Sequence, residues 1–576
     1  MKLTIEKDIM VPMRDNVSLA TDIYRPDTNE PLPTLIRRLP YNKNSTKYIS
    51  SPEILKIVQA GYIYVVQDVR GTASSEGEFI PFFQEPEDGE DLINWVRQQP
   101  WCNGKIGMIG RSYHGATQLF AAQKQPDGLC VMITEVTPAD AFEGLTYRGG
   151  ALQLAGATGW ATRMFNNHVL SRYVKQDKNK IAFDVDSLPL VNTPLAKAWK
   201  VYKDWLNHPS YDDYWKTAAI REHYDKVTVP VLHIGGWYDI FLNGTLDNYQ
   251  GITKRGGSQI ARQNQRLVIG PWTHRVKTGV FPERTYGSHA NRDAFITQLH
   301  LDWFDRWLKG KDFSNEPEKP VKIFVMGIDS WRDEEDWPLP DTKYKKYYLR
   351  SNGKANTANG DGNLSLQPPE NEPEDTYRYD PSYPVPTFGG ALQHLECRAE
   401  TEASTVILPA EYSAGPRDQL IVEKRKDVLC YTTNPLEASL EVTGPIQLVL
   451  YISSSAVDTD FTGKLVDVYP DGRAEILSEG ILRTRYRDSM SDPELMEPNK
   501  KYKLVINIGA TSNVFRVGHR IRLEVSSSNF PLYDRNSNTG GVIAEESSTD
   551  FIVAENKVFH NQEFPSHLIL PIIDRE

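Results

Sequence analysis

The rhythm of apolar and polar positions changes three times along the chain, near Thr137, Thr228 and Pro340. Before the first change, Val17 to Tyr24 follows a turn at Asp15-Asn16, and Thr34-Leu35-Ile36 leads to a loop at Pro40-Tyr41-Asn42; both runs predict strands. Tyr62 to Val66, Ile106 to Ile109 and Cys130 to Ile133 are short apolar runs suited to strands buried on both faces. Between them, Leu92, Ile93 and Val96 recur at helical spacing behind the acidic segment Glu85 to Asp91, which suits a helix N-terminus. Ala116 to Gln123 reads as a further helix. Strands alternating with helices predict an α/β fold with a parallel sheet covered on both faces.

From Thr137 to Thr228 the short buried runs disappear and large aromatics take over: Trp160, Phe165, Trp199, Trp205 and Trp215. An interval of about 90 residues is too long for a plain connection between a strand and a helix, so it predicts an inserted, mostly helical cap. Val229 to Ile234 and Arg266 to Ile269 restore the strand pattern. Phe295, Leu299, Trp303, Phe304 and Leu308 form one apolar helical face ending at Gly310. Beyond Pro340 comes a polar stretch from Ser351 to Asn363, Pro-rich sequence through Pro386, and then strands without helical period. Gln447 to Ile452 and Lys464 to Tyr469 are two of these, and Ile521, Leu523 and Val525 point one way while Arg520, Arg522 and Glu524 point the other. That half predicts an antiparallel β-sandwich. The expected organisation is an α/β domain over residues 1–137 and 228–345, a helical cap over 138–227, and a β-sandwich of jelly-roll type over 346–576.

Composition narrows the classes. At 576 residues the chain is too long for one core. A net charge of -11 without clustered Lys and Arg gives no nucleic-acid footprint, and the short run Lys343 to Lys346, interleaved with Tyr344, reads as an exposed strand. No stretch of about 18 apolar residues predicts a membrane span. The charged N-terminus lacks the apolar core of a signal peptide. Four dispersed cysteines, Cys102, Cys130, Cys397 and Cys430, fit a reducing cytoplasm and form no metal spacing.

The chemistry concentrates in Ile106-Gly107-Met108-Ile109-Gly110-Arg111-Ser112-Tyr113-His114-Gly115. A buried strand runs through Gly-x-Ser into a helix, the arrangement that exposes a nucleophilic hydroxyl on a sharp turn. The common pattern has glycine two residues after the serine; here His114 stands there and Gly115 follows. A strand-to-helix turn with Ser112 as N-cap would give the same local pattern. A serine nucleophile needs a base, and in such a sheet the acid and then the histidine follow at later strand ends. Asp239, after Gly235-Gly236-Trp237-Tyr238, and His274, after Gly270-Pro271-Trp272-Thr273, meet that condition.

Five ordered motifs carry a resemblance over nearly the whole chain. Arg38-Leu39-Pro40-Tyr41-Asn42-Lys43, the run Asp68 to Gly77, Gly110 to Gly115, Gly235 to Asp239 and Gly270 to His274 resemble the cocaine esterase-like (CocE/NonD) hydrolases, relatives of the Xaa-Pro dipeptidyl-peptidases. Asp458 to Gly472 and Gly518 to Gly540 look like that family's C-terminal jelly roll. The resemblance accounts for the shifted Gly115. It implies a Ser112–His274–Asp239 triad, an acyl-enzyme route without metal or organic cofactor, and an oxyanion hole formed by the Tyr41 hydroxyl and the Tyr113 N–H. Trp160 and Phe241 are candidates for the acyl pocket, Asp68 and Arg70 for an ion pair bracing the oxyanion loop, and Arg111 for a contact with the cap or an acid.

The expected substrate is a small carboxylic ester, with amides open because the same machinery serves both. Amino-acid ester hydrolases carry extra carboxylates just after the catalytic acid, where Phe241 and Leu242 stand here, and the Asp239 loop does not look like that of Xaa-Pro dipeptidyl-peptidases. A reading from another class is a non-catalytic binding protein whose sandwich takes a sugar or other ligand.

Overall fold

Seven of the ten strands of the first sheet coincide with apolar runs read from the sequence, but the sheet's edges are not parallel. The computed structural model describes residues 2–45, 52–172, 180–312, 319–392 and 414–575. The strands of the first half are β1 (Leu3–Pro12), β2 (Ser18–Pro26), β3 (Leu32–Leu39), β4 (Ile63–Asp68), β5 (Cys102–Arg111) and β6 (Leu129–Glu135). After a two-residue hairpin, β7 (Tyr147–Arg148) and β8 (Ala151–Leu152), come β9 (Val231–Tyr238), β10 (Arg266–Thr273), β11 (Val321–Val325) and β12 (Ser330–Glu334). Ten of these pair in the order β1-β2-β4-β3-β5-β6-β9-β10-β11-β12. The run from β4 to β11 is parallel, whereas β1–β2, β2–β4 and β11–β12 are antiparallel. The parallel-sheet expectation therefore holds for the middle alone; short connections at both ends return the chain as hairpins, which need no helical crossover.

Helices cover both faces. Helix α1 (Pro52–Gln59), α2 (Glu85–Arg97) and α3 (Tyr113–Ala122) precede the cap, and α4 (Leu242–Arg255) and α5 (Ile296–Lys309) follow it. In α5 the buried Trp303, Phe304 and Leu308 pack with Leu35, Ile109 and Ile133 of the sheet. Gly107 on β5 is required there, because a Cβ would come within 2.9 Å of the Phe304 ring. Gly310 ends α5 in the left-handed region at φ 68°, where it satisfies the last carbonyls of Asp305 and Arg306.

The segment between β6 and β9 is a cap of short helices, none longer than eight residues among those described. Two single π-helical turns, Leu154–Thr158 and Phe165–Val169, flank the helix Gly159–Met164 that carries Trp160. An aromatic stack holds it down: Trp160 lies parallel to Trp205 at 6.1 Å and to Tyr113 at 6.0 Å. Each such pair adds about 0.5–1.5 kcal/mol beyond area burial, so the cap's position over the elbow is set by aromatic packing.

The remaining strands, between residues 343 and 573, form an eleven-stranded sheet. The strand Arg520–Ser526 alternates as expected, yet its polar side does not face water. Arg522 and Glu524 are buried, Arg522 Nη1 lies 2.5 Å from Glu423, and Lys464 lies 3.7 Å from Glu524. This sheet docks on the cap: Gly149 adopts φ 52°, and a Cβ there would meet the Ile481 carbonyl at 2.0 Å. Lys343 to Lys346 lies at the exposed start of the strand Lys343–Arg350, as its pattern suggests. Cys102, Cys130 and Cys430 are free thiols, and Cys397 lies outside the described residues. No helix among the described residues is long and apolar enough to cross a membrane.

Candidate active site

Strands β5, β9 and β10 bring three loops to one edge of the sheet. Ser112 follows β5 with φ 59° and ψ −127°, and its side chain makes no cap hydrogen bond to α3, which excludes the N-cap alternative. The strained turn is held by its surroundings. The Ser112 N–H donates to the Glu135 carbonyl at 2.7 Å, and the Gly115 N–H donates to the Ser112 carbonyl at 2.9 Å. A Cβ on Gly110 would sit 2.3 Å from that of His114, and a Cβ on Gly115 would sit 1.9 Å from Thr137 Oγ1. Both glycines are thus demanded by close approach, and the shift of the second glycine to 115 reflects where α3 touches the loop after β6.

Asp239 lies at the end of β9 and His274 just past β10. Gly236 lets the two loops meet, since a Cβ there would be 2.3 Å from the Trp272 carbonyl. Asp239 is 2% exposed; its Oδ1 accepts from the Phe241 N–H at 2.7 Å and its Oδ2 from His274 Nδ1 at 2.9 Å. With the Nδ1 proton committed to Asp239, His274 Nε2 is the acceptor for the Ser112 hydroxyl at 3.0 Å. Burial is the largest influence on His274 and lowers its pKa below the ordinary 6.5; the Asp239 carboxylate opposes this, and the nearby Arg111 and Arg275 charges add to it. A neutral imidazole at neutral pH follows.

Tyr41, Tyr113, Trp160 and Phe241, all singled out in the sequence, line one pocket with Ser112. Trp160 Nε1 donates to the Tyr41 hydroxyl at 3.0 Å, so the hydroxyl hydrogen of Tyr41 stays available for another acceptor. The Phe241 ring stands edge-on to His274 at 5.3 Å. Sequence reasoning missed Phe82, Leu145 and Leu532 of the same lining. No local signal marks them: Leu532 arrives from the C-terminal half, about 420 residues after Ser112 in the chain, by way of the docked sheet.

One sequence expectation needs correction. Asp68 and Arg70 are not paired with each other. Asp68 Oδ1 accepts from the Lys43 N–H at 2.7 Å, two residues after Tyr41, so it does brace the Tyr41 loop. Arg70 turns instead to Asp88 at 2.6 Å and Asp15 at 2.7 Å. The reason is depth: Asp68 is fully buried at the end of β4 beside the buried Lys43 ammonium, and burial pushes its carboxyl up to about 6. Arg111 Nη2 donates to the His274 carbonyl. The elbow and the histidine loop are therefore tied through the backbone as well as through the reacting atoms. Behind them, Glu135 pairs with Arg292 and lies 3.3 Å from His300. Burial works against that carboxylate, yet the Arg292 and His300 partners hold it well below the usual carboxylate range.

A nucleophile elbow, a histidine and a buried carboxylate at successive strand ends, under a cap, define an α/β-hydrolase-type serine hydrolase. The X-Pro dipeptidyl-peptidase (S15 family) model matches residues 15–276, and that of the X-Pro dipeptidyl-peptidase C-terminal non-catalytic domain matches 314–569. The cocaine esterase of Rhodococcus sp. (strain MB1 Bresler) is 41% identical over 99% of both chains. The chain belongs to the cocaine esterase-like (CocE/NonD) serine hydrolases of the S15 family, and it is an ester-cleaving enzyme. Among solved structures, an aminopeptidase from a Thaumarchaeota archaeon superposes with a TM-score of 0.84 at 26% identity, covering 99% of this chain and 97% of that one. An α-amino acid ester hydrolase superposes at 0.82 with 27% identity and the same coverage.

Proposed function

We propose that this enzyme hydrolyses small carboxylic esters whose acyl group is uncharged, with Ser112 as nucleophile, His274 as general base and Asp239 orienting the imidazole. The observation that carries the substrate class is the pocket over Ser112: among the described residues its lining has no charged side chain and is built from Tyr41, Phe82, Leu145, Trp160, Phe241 and Leu532. An α-ammonium group would enter this lining without a counter-charge, at a desolvation cost of several kcal/mol. Phe241 and Leu242 at the start of α4 support the same reading, as against the aminopeptidase and amino-acid ester hydrolase that share the fold. The Rhodococcus relative, named for an ester substrate, supports ester over amide. Scarce, free thiols at the described positions support a cytoplasmic location.

The reaction then proceeds as follows. The Ser112 hydroxyl gives its proton to His274 Nε2 as Oγ attacks the ester carbon, and the carbonyl oxygen becomes an oxyanion bound by the Tyr41 hydroxyl and the Tyr113 N–H. His274 passes the proton to the departing alkoxide, leaving Ser112 acylated. Water, deprotonated by the same imidazole, releases the acid and restores Ser112. Trp160 and Phe241 wall the acyl group, and Asp239 keeps the Nδ1 tautomer throughout.

The direct test is treatment with a fluorophosphonate, followed by peptide mass spectrometry, beside turnover of p-nitrophenyl acetate and of an amino-acid p-nitroanilide. Label on Ser112, rapid acetate turnover and a much slower anilide are expected. A folded enzyme that neither labels nor turns over the ester, or prefers the charged anilide, would overturn the proposal. The pH profile follows from the buried histidine. Protonating Nε2 removes the base, so kcat/KM should hold from neutral pH into mild acid. It should then fall about tenfold per pH unit below an apparent pKa under 6.5. An acid limb above that value would contradict the assignment.

A further inference from the structure

The Tyr113 side chain contributes a second element to the site besides its N–H. Its hydroxyl is buried, donates to Glu85 Oε1 at 2.7 Å and accepts from the Phe82 N–H at 3.0 Å. Glu85 opens helix α2 and is 3% exposed. Its other oxygen meets Arg38 Nη1 at 2.5 Å, and Arg38 is fully buried on β3 with its Nε donating to Gln67 at 2.9 Å. Tyr41 follows Arg38 by three residues, two beyond the end of the same strand. Phe82, which closes this set, holds φ 74° and also lines the pocket.

We propose that the Glu85–Arg38 pair is a positioning device for the oxyanion hole, clamping the Tyr113 side chain on one side and the strand end that carries Tyr41 on the other. The proposal rests on the reading of Tyr41 and the Tyr113 N–H as oxyanion donors. Its physical basis is that a buried ion pair is poor at stabilising a fold. Well-packed apolar residues of similar volume do as well or better, and a phenylalanine at 113 would bury the same ring without a polar atom. What the charged arrangement adds is direction. Two carboxylate oxygens with fixed partners define where the Tyr113 ring stands, and the first turn of α3 is rigid with it. Burial raises the Tyr113 hydroxyl well above its usual pKa, so it remains a donor to Glu85. An amide displaced by a fraction of an ångström stabilises a tetrahedral oxyanion less, while the ground-state ester, which uses the donor weakly, is hardly affected.

The test compares Tyr113→Phe, Glu85→Gln, their double variant and Tyr41→Phe on p-nitrophenyl acetate, with inhibition by an alkyl boronic acid that mimics the tetrahedral state. Tyr113→Phe and Glu85→Gln should each lower kcat by roughly 10- to 100-fold with KM within about twofold, and weaken the boronic acid by a similar factor. The double variant should lose no more than the worse single variant, because Glu85 acts through the hydroxyl. Multiplying losses, or lower thermal stability with unchanged kcat, would reduce the pair to a structural role and overturn the proposal. Tyr113→Phe removes only a buried hydroxyl and serves alone where Glu85→Gln does not fold. If Tyr41→Phe keeps wild-type kcat, the oxyanion reading itself fails. If Tyr41→Phe loses about 100-fold or more while Tyr113→Phe and Glu85→Gln do not, the positioning proposal alone fails.

Discussion

Ser112→Ala lowers kcat on p-nitrophenyl acetate by about a millionfold and abolishes fluorophosphonate labelling, with the fold intact: this is the largest effect expected from one substitution. The elbow is held by backbone contacts that alanine keeps, namely the Ser112 N–H to the Glu135 carbonyl and the Gly115 N–H to the Ser112 carbonyl. The lost hydroxyl made one hydrogen bond, to His274 Nε2. Such a bond is worth about 1 kcal/mol net, so the unfolding midpoint should move by no more than about 2 °C. Serine and histidine act as a unit, so Ser112→Ala/His274→Ala should be no slower than either single variant. Steady-state kinetics and a thermal melt check all three points. A Ser112→Ala protein retaining a tenth of wild-type activity would move the nucleophile elsewhere.

Asp239→Asn is the second large effect, about 10,000-fold in kcat with KM little changed. The surroundings of Asp239 decide how the new amide sits. The Phe241 N–H donates to Oδ1, so the asparagine carbonyl takes that place and its NH2 faces His274 Nδ1. The imidazole must then accept at Nδ1 and carry its proton on Nε2, the atom that has to receive the Ser112 proton. Losing the carboxylate also removes what supports a protonated His274 against burial, since Asp239 is the main group raising its pKa. Both effects act on the proton transfer and neither touches the pocket. A variant within tenfold of wild type would mean that His274 is oriented chiefly by its Arg111-bound carbonyl.

Much of the site was legible because its parts are local. Gly110-Arg111-Ser112-Tyr113-His114-Gly115 encodes a turn that few other residues could make, Gly236 marks a loop that approaches another too closely for a Cβ, and Gly270 leaves room for the Trp272 ring of its own loop. Their order along the chain and their places after apolar runs named Asp239 and His274. The aromatic density of the cap, Trp160 included, was also visible as composition. Pairing of charged groups was not. Asp68 and Arg70 are two residues apart and were expected to pair, yet Asp68 ends β4 beside Lys43, while Arg70 lies in the turn beyond the strand and reaches Asp15 and Asp88. The polar positions of Arg522 and Glu524 had the correct alternation and the wrong environment, because the pattern of one strand says which side a residue takes and not what covers that side.

By itself, then, the sequence determined the α/β order of the first half, the strand-rich second half, the elbow and the triad candidates, since each depends on periodicity or on turns spanning a few residues. Tertiary structure alone decided the 3.0 Å contact between Ser112 and His274, the Glu85–Arg38 clamp and the closing of the pocket by Leu532. These join residues tens to hundreds of positions apart. Their partners are chosen by strand register and by how the cap and the C-terminal sheet bury their apolar faces together, and no short window of the chain carries that information.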